Sequence, residues 1–402
     1  MTWSLVRLDW LTEVSRAVID PRLLGDEVVV HYSIPALDVL GGPAVEPASS
    51  IASTKLRVRG GEVLVSKLNP RKLRVVIVRS HDKPAMASGE FIALLPKSIA
   101  PKFLSYWLQS ERTRQDLDGA TQSVTRSHQR VTPDVLTKKW LTVPSLAEQR
   151  AIADYLDTET ARIDTLIAKK EALYALVEQR TRMFISDITS GNVDRHGHWQ
   201  SVRLRYAIDA IVDSEHSTAP QVDGADNLVV RTANVKGGRL VTEGAIYTDA
   251  ESYRRWTRRA RPQPGDVLFT REAPAGESCL VPSTPRVCLG QRMVLFKVDE
   301  DVMRGSWLLH SLYSGPAQRF VQLLSQGSTV AHLNMSDIRD IPLLLPPLKE
   351  QDRWLAQIEE QVAWSRTVRE KLERQVTLLT EHRQALITAA VTGELEVPGV
   401  AA

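Results

Sequence analysis

The chain has 402 residues, of which 43% are hydrophobic and 25% are charged, a composition typical of a soluble protein with room for two or three domains. The formal net charge is only +3, and its positive excess lies mainly in residues 1–143, which is compatible with nucleic acid but too weak to establish it. The first residues lack the long apolar core expected of a signal peptide, no apolar run approaches a membrane span, and Cys279 and Cys288 are the only cysteines. We therefore predict a cytoplasmic protein with no membrane role.

Residues 1–143 are predicted to form a β-rich domain. Short runs rich in β-branched residues, bounded by glycine and proline, are typical of strands. After the opening segment Trp3–Leu8, the predicted strands are Glu27–His31, Val63–Val65, Leu73–Val78 and Phe91–Leu95, followed by a short helix at Pro101–Leu108 and a polar loop at 119–130.

Residues 144–191 are predicted to form one long helix. Ser145 and Glu148 fit a capping box, in which the hydroxyl and the carboxylate each accept an unpaired backbone N–H at the helix start. Apolar residues then recur at spacings of three and four, until Gly191 closes the segment. A helix of this length spans roughly 65 Å, so its stripe needs a long apolar partner.

Residues 192–345 repeat the plan of the first domain. Trp199–Leu204 matches the opening Trp3–Leu8, and a hairpin is predicted from Leu228–Arg231 and Leu240–Thr242 around Gly237-Gly238. The later predicted elements are a strand entry at Gly265–Phe269, a strand at Leu289–Phe296, a helix at Trp307–Leu312 and a polar loop at 326–334.

Residues 346–395 are predicted to form a second long helix, with residues 396–402 as a tail. The proline, the Glu-Gln pair and the closing glycine of the two helical segments are separated by one fixed offset, as in Gln149 and Gln351 or Gly191 and Gly393. A fixed offset over this length indicates duplication. The predicted fold class is therefore α+β, with two β-rich domains joined by two long antiparallel helices that form a coiled-coil spacer, and with an approximate two-fold internal repeat. Two independent amphipathic helices on separate cores are the alternative.

The sequence lacks the motifs of an enzyme. It contains no GxxxxGK[ST] phosphate loop and no glycine-rich turn followed by a ribose-binding acid. His196-Gly197-His198 is predicted to be an interdomain loop rather than a metal site, and Pro133-Asp134 lacks the second acid of a nuclease site. We predict a binding protein without catalytic residues, metal or cofactor of its own.

Basic and polar residues mark candidate contacts with nucleic acid. Arg254, Arg255, Arg258 and Arg259 lie among aromatic residues, a pattern that suits phosphate neutralisation and base stacking; a solvated surface helix is the alternative. Because the first domain has no clear counterpart of this cluster, the second domain is expected to contribute more of the electrostatic affinity. Arg271 follows a strand end, from which it could reach a guanine edge or form a structural ion pair. The other candidates lie in a thinner basic cluster and in the two loops before the long helices: Lys67, Asn69, Arg71, Lys72, Ser123, Thr125, Arg126, His128, Arg130, Ser328, Thr329 and His332.

The repeated plan resembles the specificity subunit of type I restriction-modification enzymes. The resemblance rests on Pro144–Gln149 with the helix to Gly191, on Pro346–Gln351 with the helix to Gly393, and on the Gly265–Leu268 strand entry, and it covers essentially the whole chain. It implies that each β-rich domain is a target-recognition domain that reads half of a split site in double-stranded DNA.

The same resemblance implies the partners of the chain. The helices would bind two methyltransferase subunits, and through them the restriction subunits, while S-adenosylmethionine and ATP with Mg²⁺ would be held by those partners. The apolar stripes would form the docking surface, represented by Leu156, Ile163, Leu173, Val177, Phe184, Ile358, Val362, Leu372, Leu379 and Leu386. A self-contained restriction or methylation enzyme and a coiled-coil scaffold without a DNA role are the alternative functions.

Overall fold

The computed structural model describes residues 3–120, 130–194, 196–215, 217–325 and 332–400. By its internal contacts the chain divides into two compact units, Met1–Glu171 with Leu372–Ala402 and Ala172–Lys371. Both divisions fall inside the long helices, so each unit contains one β-rich domain, part of the first long helix and part of the second.

The first β-rich domain consists of short elements. Its strands are β1 (Ser4–Arg7), β2 (Thr12–Ser15), β3 (Val18–Ile19), β4 (Val28–Tyr32), β5 (Ala44–Pro47), β6 (Lys55–Arg57), β7 (Val63–Ser66), β8 (Val75–Ile77), β9 (Ala85–Ala87), β10 (Phe91–Pro96) and β11 (Trp140–Val143). Its helices are α1 (Leu8–Leu11), α2 (Ile34–Leu40), α3 (Pro101–Gln109), α4 (Glu111–Gly119) and α5 (Pro133–Thr137), and the first long helix, α6 (Leu146–Thr189), follows.

The second β-rich domain repeats this arrangement. Its strands are β12 (Gln200–Arg203), β13 (Ala210–Asp213), β14 (Asn227–Val230), β15 (Val235–Lys236), β16 (Arg239–Leu240), β17 (Ile246–Thr248), β18 (Val267–Thr270), β19 (Ser278–Leu280), β20 (Val287–Leu289), β21 (Met293–Lys297) and β22 (Pro342–Leu345). Its helices are α7 (Ala250–Trp256), α8 (Gly305–Leu312), α9 (Gly315–Ser325) and α10 (Met335–Arg339), and the second long helix is α11 (Leu348–Thr392).

The sheet topology confirms the predicted internal repeat. The sheet order β2-β10-β7-β8 in the first domain corresponds strand for strand to β13-β21-β18-β19 in the second. In the other main sheet, β4 pairs antiparallel with β5 and parallel with β9, just as β14 pairs with β17 and β20. In each domain the opening strand also pairs with the strand before the long helix, β1 with β11 and β12 with β22.

The long helices pack antiparallel within each unit. In the first unit, Arg383 of α11 pairs with Asp164 of α6 at 2.9 Å, and in the second unit Gln361 of α11 donates to Thr181 of α6 at 3.3 Å. Residue numbers therefore rise along one helix as they fall along the other. The predicted α+β class with two long antiparallel helices is confirmed.

The ends of the long helices contribute to the domain cores. Leu156 from the start of α6 and Ile387 from the end of α11 share the first domain's core with Phe103. Ile188 from the end of α6 and Ile358 from the start of α11 do the same in the second unit. This packing stabilises each helix far more than intrinsic propensity can, because it buries the apolar face.

The predicted start of α6 is present. The Ser145 backbone N–H donates to the Glu148 carboxylate at 2.8 Å, and the Glu148 N–H donates to the Ser145 hydroxyl at 3.3 Å. The closing residues Gly191 and Gly393 have φ angles of 76° and 81°, a left-handed conformation that favours glycine after a helix.

Replacing Ser145 with alanine should lower the free energy of unfolding by about 1 kcal/mol, because one N–H at the start of α6 loses its acceptor. Thr158→Ala is the matched control, since the Thr158 hydroxyl donates back to a carbonyl in the middle of the same helix. Thermal unfolding of both variants measures the difference. Equal melting temperatures would contradict the stabilising role of the capping box.

Three details differ from the sequence-based predictions. The hairpin at Gly237-Gly238 joins β15 to β16, whereas Leu228–Val230 lies in β14 and pairs with other strands. The single strand predicted for Leu289–Phe296 is two strands, because Arg292 has a φ of 72° that interrupts extended backbone. In the predicted tail, Val397 is buried in the core of the first domain.

Candidate nucleic-acid interface

Candidate residues in both domains lie at the same end of equivalent sheets. In the first domain β2 and β7 end where β10 begins, and Lys67 and Leu68 follow β7 there. In the second domain β13 and β18 end where β21 begins, and Arg271 and Glu272 follow β18. An isolated bridge joins each segment to the residues after the pre-helix loop, Leu68 to Arg130 and Glu272 to His332.

At this end of the first domain, Lys67 and Arg130 come together. The Lys67 ammonium donates to the Gly89 carbonyl at 2.7 Å, and Arg130 pairs with Glu90 at 2.8 Å. Arg130 remains 57% exposed, so its guanidinium can contact a ligand without losing this anchor. Glu90 was not identified from the sequence, since its pairing joins residues forty positions apart.

A tight turn after β7 contains the predicted contact residues Asn69, Arg71 and Lys72. Asn69 has a φ of 52° and precedes a 3₁₀ turn at Pro70–Lys72. Arg71 pairs with Asp118 of α4 at 3.1 Å, so its charge is partly neutralised within the chain. Lys72 lines a groove of about 570 Å³ together with Arg71.

Arg271 has the structural ion pair that the sequence left as one of two possibilities. Its guanidinium contacts Asp213 at 2.7 Å and donates to the Leu333 carbonyl at 3.3 Å, and its side chain is only 15% exposed. Arg271 therefore ties the end of β18 to the end of β13. Access to a base edge would require this pair to open.

His332 belongs to a group of three contacting side chains at the same sheet end. Glu272 accepts contacts from His332 at 3.0 Å and from Arg292 at 2.8 Å. Arg292 was missed in the sequence, although it immediately precedes β21 as Glu90 precedes β10 in the first domain. These contacts gather one guanidinium and one imidazole around the Glu272 carboxylate.

The arginine cluster of the second domain occupies the last turn of α7 and the residues just after it. Arg255 stacks over the Trp256 ring at 5.0 Å, and Arg254 donates to the Ala250 carbonyl of its own helix. Arg258 and Arg259 both contact Glu215, at 3.0 Å and 3.6 Å. The Glu215 carboxylate thus lies among the guanidiniums of the cluster and offsets part of their charge.

The predicted loop contacts are outside the described part of the chain. These residues are Ser123, Thr125, Arg126, His128, Ser328 and Thr329.

The apolar stripes of the long helices are largely covered by the chain itself. Leu156, Ile163, Val177, Ile358 and Leu372 are buried. The remaining predicted docking residues are less covered: Phe184, Val362, Leu379 and Leu386 are half-buried and Leu173 is exposed. The buried members differ from the sequence-based expectation of a docking surface, because antiparallel packing and the domain cores already occupy them.

Exposed apolar side chains lie on a different set of helix positions. On the part of α6 in the second unit these are Leu173, Leu176 and Met183, at 44%, 60% and 58% exposure. Their spacings of three and seven place them on one side of the helix. Of these, only Leu173 had been singled out from the sequence as a docking residue.

Within the described residues, no group of three or more His, Cys, Asp or Glu side chains could hold a metal ion, and no helix is long and apolar enough to cross a membrane. Burial raises the pKa of Cys279 and of Cys288 to about 12, so both thiols are poor nucleophiles at neutral pH.

The chain is similar to known specificity subunits. The profile of the type I restriction modification DNA specificity domain matches residues 53–174 and 257–374. The chain is 23% identical over 323 residues to the specificity subunit of the type I restriction enzyme StySPI from Salmonella potsdam, covering 75% of this chain and 67% of the relative. It is 21% identical over 326 residues to the EcoKI specificity subunit of Escherichia coli strain K12, covering 76% and 68%.

Two solved structures share the fold. One, from work on complex assembly and conformational transition of the type I R-M system, has a TM-score of 0.76 at 20% identity and covers 98% of both chains. The other is the HsdS subunit from Thermoanaerobacter tengcongensis, with a TM-score of 0.56 at 20% identity, covering 98% of this chain and 97% of that one.

Proposed function

Because the chain belongs to the type I restriction-modification DNA specificity family, we propose that it reads a bipartite site in double-stranded DNA, one half-site with each β-rich domain. Its relatives are named specificity subunits, so it is a non-catalytic DNA-specificity subunit rather than the methyltransferase or nuclease of such an enzyme.

Two separate DNA-reading domains are supported by a sheet topology that repeats while the side chains at the equivalent sheet ends differ. Both domains place basic side chains at the same end of the same sheet, beside the loop that precedes a long helix. The side chains differ: Lys67 and Arg130 occur in one domain, and Arg271, Arg292 and His332 in the other. One scaffold with different contact residues suits two half-sites of different sequence, because base edges are distinguished by the donors and acceptors presented to them.

The exposed stripe on α6 supports a docking role for the long helices. Leu173, Leu176 and Met183 are left uncovered by the helix–helix packing of their own unit, and apolar positions at helical spacing suit a helical partner surface. We assign this surface to a methyltransferase subunit and assign two such subunits to each chain, because the sheet topology repeats in the two halves. The restriction subunits join through them, and S-adenosylmethionine and ATP with Mg²⁺ are used by those partners.

Sequencing of methylated genomic DNA tests this function. With the gene present, methylation should occur at a motif of two short half-sites separated by an unread gap, and deletion of the gene should abolish that motif. Addition of the chain to its partner subunits should restore the methylation in vitro, whereas the isolated chain should transfer no methyl group. A complex that methylates DNA equally with and without this chain would reject the DNA-specificity role and favour a scaffold.

A further inference from the structure

Three arginines of the first domain line an open groove without ion pairs. Arg16, Arg57 and Arg59 are exposed and line a groove of about 760 Å³ beside the edge strand β2. None of the three guanidiniums forms an ion pair or a side-chain hydrogen bond with any residue in the described ranges. An exposed guanidinium in this state is free to bind an external anion.

Acidic residues that share the groove offset only part of the charge of these arginines. Three of the carboxylates are already paired with bases: Asp9 with Arg7, Glu13 with Lys97, and Asp134 with Lys138. The fourth, Glu62, is buried and lies near Arg59, so it can offset the charge of that arginine but not the charges of Arg16 and Arg57. The groove therefore keeps a positive excess.

Two arginines of this groove, Arg57 and Arg59, lie in the segment that corresponds in chain order to the arginine cluster of the second domain. In each domain this segment leads to an inner strand of the four-stranded sheet: it runs from β5 to β7 in the first domain and from β17 to β18 in the second. The same turn precedes β7 and β18, since the Arg59 N–H donates to Glu62 at 3.4 Å and the Gln263 N–H donates to Asp266 at 2.7 Å. The first segment contains strand β6 and the second contains helix α7. Because their secondary structures differ, the correspondence could not be recognised from a shared pattern in the sequence.

The two segments differ in how their charge is used. In the second domain Glu215 follows the edge strand β13 and contacts Arg258 and Arg259, while Arg259 also donates to the Asp213 carbonyl at 3.2 Å. In the first domain the equivalent edge strand β2 ends at Ser15 and is followed by Arg16. A basic residue, Arg16, thus lies at the end of the edge strand of the first domain, where the second domain has Asp213 and Glu215.

We propose that Arg16, Arg57 and Arg59 bind phosphates of the target duplex, and that they contribute more of the salt-dependent affinity than Arg258 and Arg259 of the second domain. This rests on the proposed DNA-reading function. Each unpaired guanidinium that meets a phosphate releases condensed counterions, whereas Arg258 and Arg259 must first give up Glu215. This ranking is the reverse of the sequence-based prediction, in which the arginine cluster of the second domain contributes more of the electrostatic affinity.

Salt titration of DNA binding by the full chain with its partner subunits tests the proposal. Replacing Arg16, Arg57 and Arg59 together with alanine should reduce the slope of log K against log salt by about 2 to 3, while the preferred sequence is retained. The Arg258→Ala, Arg259→Ala pair should reduce the slope by less than about 1. Arg162→Ala, at an exposed position of α6, is the control that should leave the slope unchanged.

A second variant separates charge from folding. Replacing the same three arginines with lysine keeps the positive charge, so the slope should return to within about 0.5 of the original value. A slope in the alanine variant that falls no more than in the Arg258→Ala, Arg259→Ala pair overturns the proposal, as does a lysine variant with the flattened slope of the alanine variant. In either case, specific binding by the unmodified complex leaves the DNA-reading function standing. Absence of sequence-specific binding in the unmodified complex rejects that function itself.

Discussion

A chain lengthened by seven residues in each long helix should direct methylation to unchanged half-site sequences separated by a longer gap. The insertions belong between Lys170 and Glu171 in α6 and between Lys371 and Leu372 in α11, next to the two divisions between the compact units. Contacts within each unit, such as Asp164 with Arg383, are then preserved, because both insertions lie next to the boundary between the units.

The expected change in the gap follows from helix and duplex dimensions. Seven residues add about 10 Å of helical rise and shift the helix phase by only about 20° per heptad, so the apolar stripes stay on their faces. The same length of duplex is about three base pairs, which rotate the second half-site by about 100°. Rise and twist therefore oppose each other, and we expect a gap longer by about one to three base pairs.

The methylated motif of the lengthened chain is the measurement, and its two half-sites serve as an internal control. An active variant with the original gap, or one with altered half-site bases, would show that the helices do not set the spacing. Hydrogen exchange in α6 and α11 checks that the helix pair remains packed.

Replacing Gln351 with leucine should lower the free energy of unfolding of the second unit by about 3 to 5 kcal/mol, because each buried backbone group left unpaired costs about 1–3 kcal/mol. Gln351 is fully buried and makes three hydrogen bonds. Its amide oxygen accepts from the Arg304 N–H before α8, and its amide nitrogen donates to the carbonyls of Val302 and Pro346. Leucine has a similar volume and fills the same space, so the loss is one of hydrogen bonding rather than packing.

The equivalent change in the first unit should cost less. Gln149 bonds two groups, the Ala100 N–H before α3 and the Pro144 carbonyl, so Gln149→Leu should cost about 2–4 kcal/mol. Gln179→Leu, at an exposed position of α6, is the matched control and should change stability by less than about 0.5 kcal/mol.

Hydrogen exchange measured by segment locates each loss. Protection should fall around α8 in the Gln351 variant and around α3 in the Gln149 variant. Uniform loss in both variants, or no loss in either, would contradict the assignment of each glutamine to its own unit.

Local signals in the sequence predicted the frame of the fold. The Ser145 and Glu148 capping box and the closing Gly191 and Gly393 each rely on residues close in sequence, and each is present in the structure. The repeat itself also followed from the sequence, since duplicated strands keep their order in the sheet.

Pairings between distant residues could not be predicted in the same way. Glu215 contacts Arg258 across more than forty positions, and Glu90 contacts Arg130 across forty, so neither acid stands out in a local pattern. An apolar stripe likewise reveals that a helix face is covered but not what covers it. For this reason Leu156 and Ile358 were predicted to dock partner subunits, although their own chain buries them.

The position of Val397 bears on the order in which the protein is made. The core of the first domain contains Ile387, Val391 and Val397, all of which leave the ribosome long after the sheet on which they pack. At about 5–20 residues per second, translation from residue 171 to residue 391 takes roughly 10 to 40 seconds. During that interval the nascent first domain presents Leu156 and Phe103 without their late-arriving neighbours, so the domain that is synthesised first is the one whose folding is completed last.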